Sequence, residues 1–115
     1  MLKNSYYFGK FAEKIAAAFL TLKGYKILAK RYKNHFGEID LIAKKFSTVV
    51  FIEVKARRGK YLVEEVLRPK QLQRIKRSAE YFIAQNQQFH DKNIRFDFIE
   101  IGRNFWPKHQ KNFWE

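Results

Sequence analysis

The runs FGEIDLIA (residues 36–43) and TVVFIEVKAR (residues 48–57) are rich in β-branched and apolar residues and are separated only by the polar link KKFS. Strands joined by so short a link pair as an antiparallel hairpin, because a parallel pair needs a crossover of a dozen or more residues. This hairpin constrains the fold more than any other feature, and it contains an anomaly. Glu38, Asp40 and Glu53 stand among Ile39, Leu41, Ile42, Val50, Phe51, Ile52 and Val54. A strand about to be buried should shed charge, since desolvating an unpaired carboxylate costs several kcal/mol. Alternation predicts Glu38 and Asp40 on one face and Ile39 and Leu41 on the other, with Glu53 and Lys55 together opposite Val50, Ile52 and Val54. Folding about Phe46 and Ser47 sets Asp40 across from Glu53 and Glu38 across from Lys55, with Cβ atoms about 4.5–5.5 Å apart.

The flanking segments supply the rest of a fold. SYYFGKFAEKIAAAFLTLKG reads as a helix whose apolar face is Phe8, Phe11, Ala12, Ile15, Phe19 and Leu22, with Gly24 placed to end it. YKILAKRY reads as a first strand. RPKQLQRIKRSAEYFIAQ is a second helix, with Pro69 in its first turn and Leu72, Ile75, Ala79, Phe82 and Ile83 on its apolar face. NIRFDFIEIG reads as a last strand, and the tail RNFWPKHQKNFWE has too little periodicity to assign. The order helix, three strands, helix, strand predicts an α/β fold with a mixed central sheet flanked by helices. We expect a single domain over residues 1–115, with a core at about 5–102 and an aromatic, basic tail at 103–115.

Charge bounds the partner. The chain carries 24 Lys and Arg against 11 Asp and Glu, a net charge of +13, which repels itself in a compact fold and points to a polyanionic partner. Nucleic acid is the first choice and an acidic membrane surface the second; a uniformly basic composition without a partner is the bland alternative. The absence of cysteine excludes disulfides and thiolate metal sites and suits a reducing cytoplasm. The N-terminus has no signal-type apolar run, and no stretch approaches the ~20 apolar residues of a membrane span. A cytoplasmic protein with no membrane partner is expected.

Two facing carboxylates repel one another, so something positive should sit between them. Lys55 supplies part of that charge. A divalent cation such as Mg²⁺, which takes carboxylate oxygens, would supply the rest. An acid pair holding Mg²⁺ beside a lysine suits phosphodiester hydrolysis. The competing reading is a buried ion-pair cluster of Glu38, Lys55 and Asp40 without catalysis. The residues alone leave both open.

GEIDLIA followed by FIEVKAR resembles the core of the PD-(D/E)xK nuclease superfamily, and within it the small YraN-like family of uncharacterised proteins. The likeness runs from GKFAEKIAAAFL through GY and the hairpin to RFDF, about residues 9–102. It implies a restriction-endonuclease-like core, dependence on Mg²⁺ or Mn²⁺, and relatives that cleave DNA, among them Holliday-junction resolvases. By the same resemblance Asp40 and Glu53 are metal ligands and Lys55 is the catalytic lysine. Glu13 matches the acid that resolvase-like members carry on their first helix, completing a catalytic set of Glu13, Asp40, Glu53 and Lys55 with metal ligands Asp40, Glu53 and Glu13. Glu38 and Gln71 are expected beside the site, supporting the ligands. Ile39 replaces the superfamily's proline, as is usual for the GEID subtype. The N-x-R expected ahead of GEID is blurred into KRYKN, which obscures the roles of Arg31 and Lys33.

The basic residues sort into groups that suit phosphate contacts. Lys70, Arg74 and Arg77 form a stripe on the second helix, with Tyr81 on the same side; Lys26, Lys30, Arg31 and Lys33 flank the first strand; Arg57, Arg58 and Lys60 follow the Glu-x-Lys strand. His35, His90 and His109 show no ligand spacing and are expected at the surface, and Asp97 is expected as a strand or ion-pair residue. The expected function is nucleic-acid binding with Mg²⁺-dependent endonuclease-like hydrolysis of structured or branched DNA. The alternative is a non-catalytic nucleic-acid-binding module of the same fold. A homodimer would give paired strand cuts two active sites.

Overall fold

The run TVVFIEVKA is apolar on both faces of its alternation, and it forms the middle strand of a five-stranded sheet. The computed structural model describes residues 2–56, 69–102 and 104–113, with side chains from residue 9 onward. Along the chain run α1 (Leu2–Leu22), β1 (Lys26–Asn34), β2 (Gly37–Lys45) and β3 (Thr48–Ala56). They are followed by α2 (Pro69–Gln85), a 3-10 turn (Gln87–Phe89), β4 (Asn93–Ile101) and β5 (Pro107–Gln110). Strand order follows chain order. β3 and β4 are parallel and every other neighbouring pair is antiparallel, so the sheet is mixed. This is the expected α/β class, compatible with a restriction-endonuclease-like core.

The β2–β3 hairpin pairs in the predicted register, with Lys45 opposite Thr48, Ala43 opposite Val50 and Leu41 opposite Ile52. Its turn sets Phe46 at φ 53, a left-handed conformation that glycine or asparagine usually supplies. The predicted alternation fails at one point. Ile39 packs with Ile42 and Phe51 on the α2 side, whereas Leu41 packs with Ala43 and Val50 on the α1 side. The cause is a local distortion: the β1–β2 ladder joins Lys30 to Leu41 and Tyr32 to Ile39 but skips Arg31 and Asp40, and Arg31 has φ 50.

The helices cover opposite faces of the sheet. On α2 the buried residues are Ile75, Ser78, Ala79 and Phe82, close to the predicted face. On α1 the predicted face needs rotation. Ala12, Ala16, Ala17 and Leu20 are buried, while Phe11 is 51% and Leu22 88% exposed. Alanines let the helix backbone approach the sheet, so small side chains mark the contact and the larger aromatics flank it. The rotation brings Glu13 to about 35–40° from the centre of the buried face. Gly24 ends α1 at φ 93, with Tyr25 N–H donating to Leu20 C=O at 2.9 Å and Gly24 N–H to Thr21 C=O at 3.1 Å, the Schellman pattern. The tail adds β5 to β4, and Phe105 sets its ring edge-on to Phe11 at 5.6 Å.

Candidate metal and nucleic-acid site

The site lies where the sheet forks. The β2–β3 ladder runs as far as Leu41 opposite Ile52, and one residue further the Asp40 side chain takes the place of backbone pairing. Its Oδ2 accepts the Val54 N–H at 2.8 Å. The distortion that removes Arg31 and Asp40 from the β1–β2 ladder thus frees Asp40 to reach β3. Glu53, the next residue of β3, is buried beside it. Gln71 of α2 donates through Nε2 to Glu53 Oε2, and Lys55 Nζ stands 3.5 Å from the same oxygen. The splayed strands and the N-terminal halves of both helices enclose a cleft of about 650 Å³. Glu13, Asp40, Glu53, Lys55, Gln71 and Arg74 are among its walls.

The electrostatics show a deficit of positive charge. Asp40 is pushed up from its ordinary 3.8 to about 8. Burial is the main cause, followed by the charge of Glu53 and a hydrogen bond shared with it. The Val54 N–H and Lys55 oppose the shift without cancelling it. Asp40 therefore keeps its proton up to about neutral pH unless further positive charge is brought to it. Two hard oxygen donors facing open space, one of them supported by an amide, match the donor chemistry of Mg²⁺ or Mn²⁺.

The other expected site residues are distributed around this pair. Glu13 lines the same cleft, but its Oε1 receives Arg31 Nε at 2.8 Å, and among the described residues no three acidic or histidine side chains form a metal-ligating group. Glu38 is exposed at the cleft and stands opposite Lys33 in the β1–β2 ladder. Its expected pairing with Lys55 is corrected, because the fork separates β2 from β3 before that point. Gln71 stands beside the acid pair, held to Glu53 by its side-chain hydrogen bond. Arg74 lines the cleft, and Lys70 and Arg77 are exposed on the same helix. Arg57, Arg58 and Lys60 lie outside the described residues.

With this geometry in view, residues 12–101 match the model of the family described as "Uncharacterised protein family UPF0102". The chain belongs to the UPF0102 family. It is 39% identical over 110 residues to a UPF0102 protein of Mesorhizobium japonicum, covering 96% of this chain and 88% of that one. A UPF0102 protein of Parvibaculum lavamentivorans is 36% identical over 96% of this chain and 83% of its own. One of Maricaulis maris is 37% identical over 92% and 84%. The UPF0102 match includes Glu13, Asp40, Glu53, Lys55 and Gln71, and ends before β5 begins.

Of a second polar cluster in this UPF0102 chain, the sequence pointed only to Asp97, as a strand or ion-pair residue. Asp97 is fully buried as an ion-pair residue, receiving Arg95 Nε and Nη2 at 2.9 and 2.8 Å and the Asn112 N–H at 3.0 Å. His109, expected at the surface, is instead buried on β5 with Nε2 2.7 Å from Asp97 Oδ2 and Nδ1 3.1 Å from Lys23 Nζ. A carboxylate can only accept and an ammonium can only donate, so Nε2 carries the hydrogen and Nδ1 accepts. Burial alone would raise Asp97, but the bonds from His109, Arg95 and Asn112 hold it below the usual carboxylate range. His35 and His90 are exposed, as expected. Among the described residues no helix is long and apolar enough to cross a membrane.

Proposed function

We propose that this protein is a nucleic-acid-binding hydrolase of the PD-(D/E)xK type that uses Mg²⁺ or Mn²⁺ to cut phosphodiester bonds in structured or branched DNA. The observation that carries the reading is the meeting of Asp40 and Glu53 at the sheet fork, with Lys55 3.5 Å from Glu53, in an open cleft. A bound divalent ion supplies Lewis acidity toward a phosphate oxygen and a lower pKa for the attacking water. Asp40 and Glu53 hold that ion, and Gln71 fixes the Glu53 carboxylate toward it. Lys55 orients the water or offsets charge developing on the phosphate. Arg74, Lys70 and Arg77 grip the backbone without reading sequence. Two copies would place one site on each strand of a duplex.

A second reading, a binding module that does not cleave, draws support from Glu13, which is engaged by Arg31 rather than by the acid pair. One experiment separates the readings in sequence. Mg²⁺ and Mn²⁺ are titrated into the protein by amide NMR, with Asp40→Asn as control, and four-way and flapped DNA are then incubated with the metal-bound form. Saturable shifts centred on residues 40, 53 and 55, lost in the variant, together with metal-dependent cleavage, are expected. Metal binding that survives Asp40→Asn, or DNA binding indifferent to both metal and Asp40, refutes the hydrolase.

A further inference from the structure

Glu13 lines two clefts at once. On one side it borders the acid pair at the fork. On the other it borders a smaller concavity of about 280 Å³ between α1 and β1, whose walls include Lys10, Lys14, Lys30 and Arg31. Among the described residues, four cations drawn from two elements converge there, with Glu13 the acid beside them. A lining in which cations predominate suits the anionic phosphodiester group rather than a neutral base.

We infer that the basic cleft is a phosphate subsite for the nucleic-acid strand, and that filling it releases Glu13 to the acid pair. The inference rests on the metal-site reading above and deepens it. The Arg31–Glu13 pair is the coupling element. Its side chains are 44% and 25% exposed, and ion pairs of that exposure contribute only about 0.2–1 kcal/mol, so a phosphate arriving beside three lysines can displace the carboxylate from Arg31. The freed Glu13 then turns to its other wall, where Asp40 and Glu53 lack a third oxygen ligand. The backbone supports this role. Arg31 sits at φ 50, opposite the strand residue Asp40 that the same distortion directs into the fork, so one irregularity places both the phosphate-sensing cation and a metal ligand.

The test measures Ca²⁺ affinity by calorimetry on the full chain, and the affinity of a fluorescein-labelled 20-base-pair duplex by anisotropy in Ca²⁺ and in EDTA. Arg31→Asn is the variant, because asparagine tolerates left-handed backbone; Lys26→Ala removes one charge at the far end of β1 as a control. Wild type should bind the duplex more tightly in Ca²⁺ than in EDTA. Arg31→Asn should tighten Ca²⁺ binding without DNA by about two- to fivefold, the worth of the lost ion pair, while weakening the duplex and lowering its salt slope by about 1. Glu13→Gln should bind the duplex more tightly in EDTA and lose the enhancement by Ca²⁺. Equal effects of Arg31→Asn and Lys26→Ala, or a Ca²⁺ enhancement intact in Glu13→Gln, overturn the coupling. Ca²⁺ binding unchanged in Asp40→Asn, or absent from wild type with and without duplex, overturns the metal site itself.

Discussion

Asp40→Asn isolates the electrostatic cost of the acid pair. Asparagine keeps an oxygen for the Val54 N–H, which Asp40 Oδ2 accepts at 2.8 Å, and removes the charge. In the wild type Asp40 titrates at about 8 when folded and at an ordinary 3.8 when unfolded. Between those values the folded chain holds a proton that the unfolded chain has released. The unfolded state therefore binds fewer protons, and stability falls as pH rises, by about 1.4 kcal/mol per pH unit. Across this window of about four pH units the loss is on the order of 5 kcal/mol, a large share of the roughly 5–15 kcal/mol that stabilises a domain. Below pH 3.8 the penalty vanishes.

Urea unfolding from pH 4.5 to 8.5 in EDTA reads this directly. The two proteins should differ little at the acid end, and Asp40→Asn should exceed wild type by on the order of 5 kcal/mol at pH 8. Only the difference between the proteins matters, because the +13 net charge gives both a background pH dependence. Adding Mg²⁺ at about one hundred times its dissociation constant should restore about 2.7 kcal/mol to wild type and nothing to the variant. Parallel pH profiles in EDTA would refute the carboxylate coupling. Equal stabilisation of both proteins by Mg²⁺ would place the metal elsewhere.

Glu53→Gln removes the second cause of the Asp40 shift but not the first, so carboxyl-carbon NMR should find Asp40 titrating below 8 yet still above 3.8. Lys55→Met should leave Mg²⁺-induced amide shifts in place while slowing any DNA cleavage by about 10²–10³-fold, the loss typical of one charge-stabilising donor. His109→Ala takes a partner from fully buried Asp97 and should cost about 3 kcal/mol in urea unfolding without altering Mg²⁺ binding.

The hairpin could be read in advance because period-two alternation and a short link together fix a register, and Asp40 and Glu53 follow from it. The alternation failed at Ile39 because the ladder distortion at Arg31 and Asp40 is made by tertiary bonds, Asp40 to Val54 N–H and Arg31 to Glu13, that leave no local pattern. The face of α1 was misplaced for a different reason. Periodicity was read from the largest residues, Phe11 and Leu22, whereas a helix lying close on a sheet buries its smallest, Ala12, Ala16 and Ala17. The small residues around Glu13, namely Ala12, Ala16 and Ala17, are the available signal for the true face. His109 gave none. Its burial depends on β5 pairing with β4, and PKHQ has no strand-like composition.

The two buried acid clusters of this chain act as controls for one another. Asp97 is the more deeply buried residue, yet it lies below the usual carboxylate range, because Arg95, His109 and Asn112 bring donors to both of its oxygens. Every charge there has its counterpart within the chain, and nothing further is required. Asp40 lies far above that range, because burial is reinforced by the neighbouring Glu53 carboxylate and only partly opposed by the Val54 N–H and Lys55. Burial pushes both acids up; what separates them is how far the surrounding donors and cations offset it. The fold shows that it can neutralise a buried acid with its own side chains at one end of the sheet. At the fork it leaves an acid pair under-compensated beside an open cleft with basic residues on its rim. An uncompensated pair costs stability at neutral pH, and a cation bound between its oxygens removes that cost. On the proposed reading the carboxylates in the apolar hairpin call for a cation from outside the chain, whereas Asp97 is compensated from within it.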